Sequence, residues 1–390
     1  MSPRSWSACM HLLRIAIVLA VWWGAASCAI ADGTTKRPLP RGYRDVDYSM
    51  TPKEARNVWV METVTSLWFL AIGCCVGSFL NVVVYREPRG LAVGLPRSRC
   101  PKCQNAIQPR DNIPIIGWLR LWGRCRTCQL PISPRYPLIE AAIGAMFVAL
   151  LHRELLSGGG NLPVRNINTY KGVVWVLWYT KWDLLGIYLF HLLLLVVLWG
   201  AALIEHDGFA WPRRMFRFAV WFGLVGLAFW PELHVIPVWL PRPDWINGSR
   251  LSSSWRMGYG DPLGVGWSGP LTGLIGAAVS AATMWVLSSL GGKPLAIATG
   301  HHQQIVITPP VVDFRLQLTL SATLTGLFLG WQTGMVLAVI GVMLLAVFGR
   351  FESGVRRHSV ALFAGLTTVA IFLWRPAVMS VTSYFPVLNR

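Results

Sequence analysis

Residues 184–204 read LLGIYLFHLLLLVVLWGAALI, twenty-one positions without Lys, Arg, Asp or Glu. A helix of that length rises about 30 Å, the thickness of a bilayer's hydrocarbon core. Lipid offers no hydrogen-bond partner, so a spanning segment must satisfy its own backbone, and a helix does so. Working outward, charge-poor apolar runs recur at 65–84, 136–152, 215–231, 269–290, 314–331, 333–349 and 359–376. The chain is 54% hydrophobic over 390 residues, carries 21 Trp and has a mean hydropathy of +0.49, which excludes an ordinary soluble domain. The expected fold is an all-α polytopic membrane protein of about eight transmembrane helices.

The formal net charge is +18, and its placement decides its meaning. Ten Arg or Lys lie from Arg86 to Arg135 against Glu87 and Asp111. Further clusters follow at Arg213, Arg214 and Arg217 and at Arg350, Arg356 and Arg357. Alternating the spans puts all three clusters on one side, the cytoplasmic side by the positive-inside rule. Membrane topology accounts for the charge, and no nucleic-acid partner is expected. Loops 153–183 and 232–268 then face outward, and 205–214 and 291–313 inward.

At the N-terminus, Arg4 and Arg14 precede an apolar run from Ile15 to Gly24, and Ala29-Ile30-Ala31 follows. That order fits a secretory signal. Residues 1–31 are read as a cleaved signal or, alternatively, an extra anchor, with Cys28 in a weak lipobox. Residues 32–64 read as a polar outer linker. The remaining divisions are 65–140, which includes the cysteine insert at 86–135, a membrane domain at 141–376 and a tail at 377–390.

Cys100-Pro101-Lys102-Cys103 and Cys125-Arg126-Thr127-Cys128 are two C-x-x-C knuckles separated by 21 residues. Four thiolates so paired suit a closed tetrahedral Zn²⁺ site of structural type. The reducing cytoplasm disfavours disulfides there. Glu140, at the start of the second span, is a carboxylate in a membrane segment and so a functional lead, with simple solvation as the alternative. His301 and His302 read as loop features.

The ordered block Gly77-Ser78-Phe79-Leu80-Asn81-Val82-Val83-Val84-Tyr85-Arg86, Asp111-Asn112-Ile113-Pro114, the two knuckles and Arg135-Tyr136-Pro137-Leu138-Ile139-Glu140 resembles the prepilin (type IV leader) peptidases. The resemblance is specific over about 77–140, and topology and scattered pieces carry it further. It implies an aspartyl endopeptidase of the inner membrane that cuts leaders from type IV pilin-like precursors at the cytoplasmic face. It also implies, for many members, methylation of the new N-terminus with S-adenosylmethionine, although no glycine-rich nucleotide fingerprint is present. The substrates so implied belong to type IV pilus and type II secretion systems.

Two carboxylates from different helices around one water are the chemical requirement, one ionised and one protonated. Leu203-Ile204-Glu205-His206-Asp207-Gly208, with Pro212 beyond, is similar to the family's first acidic motif, with Glu205 where an aspartate is usual and Asp207 in the second acidic place. The added methylene moves the carboxyl by about an ångström, a displacement able to lower a rate on the order of a hundredfold. For the second motif, Met257-Gly258-Tyr259-Gly260-Asp261 matches by letters but threads to the outer side. Asp313-Phe314-Arg315-Leu316 reaches the inner side and is preferred, with Asp261 as the alternative and helix capping as the bland reading of Asp313. A relative that binds pilin-like precursors or assembly partners without cutting them is the alternative function.

Overall fold

The computed structural model describes residues 51–94, 98–100, 102–162, 172–178, 180–230, 233–234, 268–290, 313–348 and 358–376. In chain order the helices are α1 (Pro52–Arg86), α2 (Ile116–Arg120), α3 (Arg135–Leu150, continued by a π turn Leu151–Leu156), α4 (Val173–Leu177), α5 (Trp182–His206), α6 (Arg213–Phe229), α7 (Ser268–Leu290), α8 (Phe314–Leu329), α9 (Trp331–Phe348) and α10 (Ser359–Phe372). Among the described residues there is no strand, only the isolated bridges Arg99–Ala106 and Arg124–Pro131. Each of the eight expected apolar runs falls on a helix. Among the described residues three helical stretches are long and apolar enough to cross a membrane: Pro52–Arg89, Trp182–His206 and Gly269–Ser289. The signal or anchor at 1–31 and the tail at 377–390 lie outside the described residues.

Helix α1 starts at Pro52, well inside the stretch read as linker. Thr51 and Glu54 form a reciprocal capping box: Glu54 N–H donates to Thr51 Oγ1, and Thr51 N–H donates to Glu54 Oε2 at 2.9 Å. Pro52 supplies a preset φ at the first helical position.

The chain divides into two compact units. The first holds α1 as far as Phe79, the cysteine insert, α3 and α4. Here α1 and α3 run antiparallel. A side chain at Gly73 would meet Gly144, and one at Gly77 would meet the backbone of Glu140. At the other end Ser66 Oγ lies 3.0 Å from His152 Nε2.

The second unit holds the rest of α1 and α5–α10. Buried Met284, Leu318, Ala322, Leu337, Ala338 and Phe363 make a shared core of α7, α8, α9 and α10. Gly276 of α7 and Gly326 of α8 touch backbone to backbone, since a Cβ at either would land on the other's carbonyl oxygen. Ser280 and Gly334 extend this seam to α9. Phe190 of α5 stacks on Phe328 of α8 at 4.3 Å, and Trp199 Nε1 donates to Thr368 of α10 at 3.1 Å.

Successive helices of this unit alternate in direction, so their ends sort into two sets. The end of α5 meets the start of α10 through Glu205 and Ser359. The Trp211 N–H, just before α6, donates to Gln317 in the first turns of α8. At the opposite end, Leu227 of α6 faces Gly273 of α7.

Candidate functional site

The first cluster is sulfur. The Sγ atoms of Cys100, Cys103, Cys125 and Cys128 all lie within 4.8 Å of one another, and all four thiols are free of disulfides. Cys100 and Cys128 approach to 3.6 Å, and Cys103 and Cys125 to 4.0 Å. A tetrahedron with Zn–S bonds of about 2.3 Å has edges of about 3.8 Å, so the four cysteines fit such an ion.

The two knuckles share one local design. Cys100 N–H donates to Asn105 O and Gln104 N–H to Cys100 O; Cys125 N–H donates to Leu130 O and Gln129 N–H to Cys125 O. Gln104 and Gln129 both take φ +56, closing each turn in the left-handed region. The N–H groups of Cys103 and Lys102 pull the Cys100 thiol down to about 6. For Cys103 the Asn105 N–H favours the thiolate, but burial and the neighbouring sulfurs outweigh it and push the thiol up to about 11. Metal binding removes this competition, because each ligand is then a thiolate.

Between the knuckles the loop is tied at three points. Arg126 grips Asp111 with both branches, Nε to Oδ2 at 2.7 Å and Nη2 to Oδ1 at 2.6 Å. That guanidinium holds the Asp111 carboxyl below the usual carboxylate range. Trp118 Nε1 donates to Ile132 O at 3.0 Å. Finally, Glu140 of α3 is buried, and its Oε2 accepts the Ile115 N–H at 2.7 Å. Of the two readings of Glu140, solvation therefore fails. Its carboxylate anchors the insert to α3.

The second set of candidate residues is acidic. Glu205 is buried near the end of α5, and helix α10 takes both its oxygens. Oε1 accepts the Ser359 hydroxyl at 2.7 Å and Oε2 the Val360 N–H at 2.9 Å. The first turn of α10 thus supplies both donors to this carboxyl group. Asp207 caps α5, and Gly208 at φ +84 lets the chain turn: Gly208 N–H donates to Glu205 O and Phe209 N–H to Ile204 O. This is the Schellman pattern, which leaves Asp207 at the helix mouth. Asp313 is exposed and caps α8, accepting the Arg315 N–H at 3.0 Å.

Glu205, Asp207 and Asp313 thus belong to the same end of the second unit, joined there by the Glu205–Ser359 and Trp211–Gln317 bonds. Asp261 lies outside the described residues, between the end of α6 and the start of α7, both of which belong to the opposite end. His301 and His302 also lie outside them. Sequence reasoning missed Ser359, Gln317 and the ring pair His206–His358, whose centroids are 5.2 Å apart. A serine at a helix start after a basic cluster was the one available signal.

Residues 71–153 match the family model described as the bacterial peptidase A24 N-terminal domain. A prepilin leader peptidase/N-methyltransferase of Myxococcus xanthus is 48% identical over 88 residues, 23% of this chain and 26% of the relative. One from Klebsiella pneumoniae is 51% identical over 89 residues, 21% of this chain and 39% of that protein. A longer match, to the prepilin leader peptidase/N-methyltransferase of Pseudomonas putida, is 28% identical over 276 residues, 58% of this chain and 83% of that protein. The first two alignments span only about a quarter to two-fifths of those relatives' length. No solved structure matches. The matched region 71–153 contains the thiol cluster and Glu140, and it ends before Glu205 and Asp313.

Proposed function

We propose, from the premise that this chain is a divergent relative of the prepilin leader peptidases, that it is a membrane aspartyl endopeptidase acting on type IV pilin-like precursors. What supports the reading is that Glu205, Asp207 and Asp313 stand at helix termini on the same end of the helical unit. That end is the cytoplasmic one by the placement of positive charge, in a bacterial inner membrane crossed by about eight helices. The leader's scissile peptide would lie across this mouth. One carboxylate, ionised, takes a proton from water, and a second, protonated, donates to the peptide carbonyl or leaving amine. Asp313 and Asp207 stand on different helix ends, as such a division requires.

The four cysteines hold zinc in a closed set, so the ion supplies structure to the insert. Transfer of a methyl group from S-adenosylmethionine to the trimmed N-terminus is proposed as a second activity. It rests on the names of the relatives and on no feature of this chain.

A second reading is a relative that holds precursors without cutting them. What favours it is Glu205, whose two oxygens serve α10. One assay separates the two. Purified full-length protein in detergent is incubated with a pilin-like precursor, and the products are weighed by mass spectrometry. Cleavage that disappears in Asp313→Asn or Asp207→Asn sustains the peptidase. An uncut but co-purifying precursor sinks it in favour of binding. A methyl group from labelled S-adenosylmethionine on a pre-trimmed pilin tests the transfer separately.

A further inference from the structure

We propose that the apolar edge of the cysteine insert is a lipid contact, seated in the headgroup layer of an anionic bilayer. Ile113, Ile116, Leu119 and Trp122 recur at every third residue through α2 and its flanking turns, and all four are exposed, Trp122 at 88%. The other side of the same segment is packed. Gly117 is buried against the Asp111 backbone, and the Trp118 ring covers Gly123 and bonds Ile132. An ordered segment therefore turns four large apolar side chains outward. Trp122 does so at φ +52, a conformation uncommon for a non-glycine residue. That φ closes α2, with Trp122 N–H donating to Leu119 O and Gly123 N–H to Trp118 O, and the closure holds the ring outward.

Charge selects the occupant. Between residues 99 and 126 the insert carries Arg99, Lys102, Arg110, Arg120, Arg124 and Arg126 against Asp111 alone. It stays cationic after subtracting the roughly two net negative charges of a zinc tetrathiolate. Arg110, Arg120 and Arg124 are exposed in or beside the apolar edge. A second copy of this face would meet its own charge, whereas anionic lipid offers the opposite sign.

Position agrees with charge. Ile115, inside the stripe, donates its N–H to Glu140 in the early turns of α3, and Gly77 of α1 packs on the Glu140 backbone. Along α1 the large exposed side chains Val64, Leu67, Trp68, Ile72 and Phe79 form an apolar outer surface. The insert is thus tied in where α1 and α3 leave the apolar layer. Trp and Arg are favoured at that depth, the ring amphipathic and the guanidinium paired with phosphate. The contact belongs to the insert and stands whether or not the chain cleaves a precursor.

The test uses the full-length protein with p-benzoylphenylalanine in place of Trp122, in nanodiscs of phosphatidylcholine with or without phosphatidylglycerol. After irradiation, intact-mass spectrometry identifies the adduct. The expected result is a lipid adduct several-fold more abundant with phosphatidylglycerol present. Arg110→Gln, Arg120→Gln and Arg124→Gln should each lower it by roughly fivefold, the weight of one basic residue at an anionic surface. Metal content reports whether each variant is folded. If a variant is not, the comparison of the two lipid compositions decides without it. A crosslink to a second copy, no lipid adduct, or equal adduct in both compositions overturns the proposal.

Discussion

The thiol cluster of the insert and the acidic helix ends of the second unit are built on opposite principles. In the insert, two near-identical turns of local hydrogen bonds deliver four sulfurs to one point, and spacing along the chain defines the site. In the second unit, contacts between distant helices set the geometry, Glu205 and Ser359 being 154 positions apart. The family-model match covers 71–153, while the alignment that reaches further, over 276 residues, is only 28% identical. A site encoded locally keeps its recognisable text, whereas a site assembled from helix ends can change one side chain at a time. The lesson is that kinship to a peptidase is written in the metal insert, while competence must be tested in the bundle.

The sharpest way to break that contrast is to remove the metal. Cys100→Ser with Cys128→Ser should abolish zinc binding, on the order of 10 kcal/mol for a structural site. Metal analysis and tryptic cutting within 98–135 would report it, while far-UV helicity stays nearly constant because the described part of the insert has only short helical turns, α2 being five residues long. Acid makes the same comparison. The Cys100 thiol is drawn below its ordinary value to about 6. Its thiolate contribution is complete above the ordinary thiol pKa and is lost as pH falls through about 6, so metal retention should fall there.

The next largest effect is expected at the glycine seam. Gly326→Leu drives a side chain into the Gly276 backbone, and overpacking of this kind destabilises by about 3 kcal/mol or more. A lower midpoint of thermal unfolding in detergent would show it, with zinc content unchanged.

Smaller is Glu205→Ala, which strands the Ser359 hydroxyl and Val360 N–H at a cost of about 2–3 kcal/mol. Glu205→Gln keeps an acceptor for one of them and should recover most of that loss. If Gln restores stability but precursor cleavage stays absent, the carboxylate is chemical. If cleavage returns as well, Glu205 is a tie between α5 and α10.

Smallest is Asp111→Asn, which removes an ion pair in which Arg126 stays exposed and the Asp111 side chain is mostly covered. Surface pairs of this kind contribute little. The Asp111 carboxyl is lowered, so the pair is intact above the usual carboxylate range and is lost only as pH falls through the depressed value. A difference between wild type and variant should accordingly be slight near neutrality and vanish in acid, as followed by thermal unfolding.

Much of the fold was legible because lipid leaves the chain few options. Each of the eight apolar runs falls on a helix, although length and composition suffice for crossing in only three of the described helical stretches. The start of α1 was misjudged because charge at Lys53, Glu54 and Arg56 looked like linker, yet Thr51-Pro52-Lys53-Glu54 spells a capping box that could have been read. The knuckles were legible from spacing alone. The partner of Glu140 was not, since it is the N–H of Ile115, and backbone donors leave no mark in a sequence. Nor could letters show that Glu205 faces α10, because that pairing depends on how α5 and α10 lie together.

One consequence follows from the contact of Gly276 with Gly326 and its continuation through Ser280 and Gly334. Interfaces made of side chains can slide as rotamers exchange, but backbone pressed on backbone has no such slack. Helices α7, α8 and α9 therefore travel together as a plate. Any parting of this unit wide enough to admit a guest helix from the bilayer must open along α5, α6 or α10 instead.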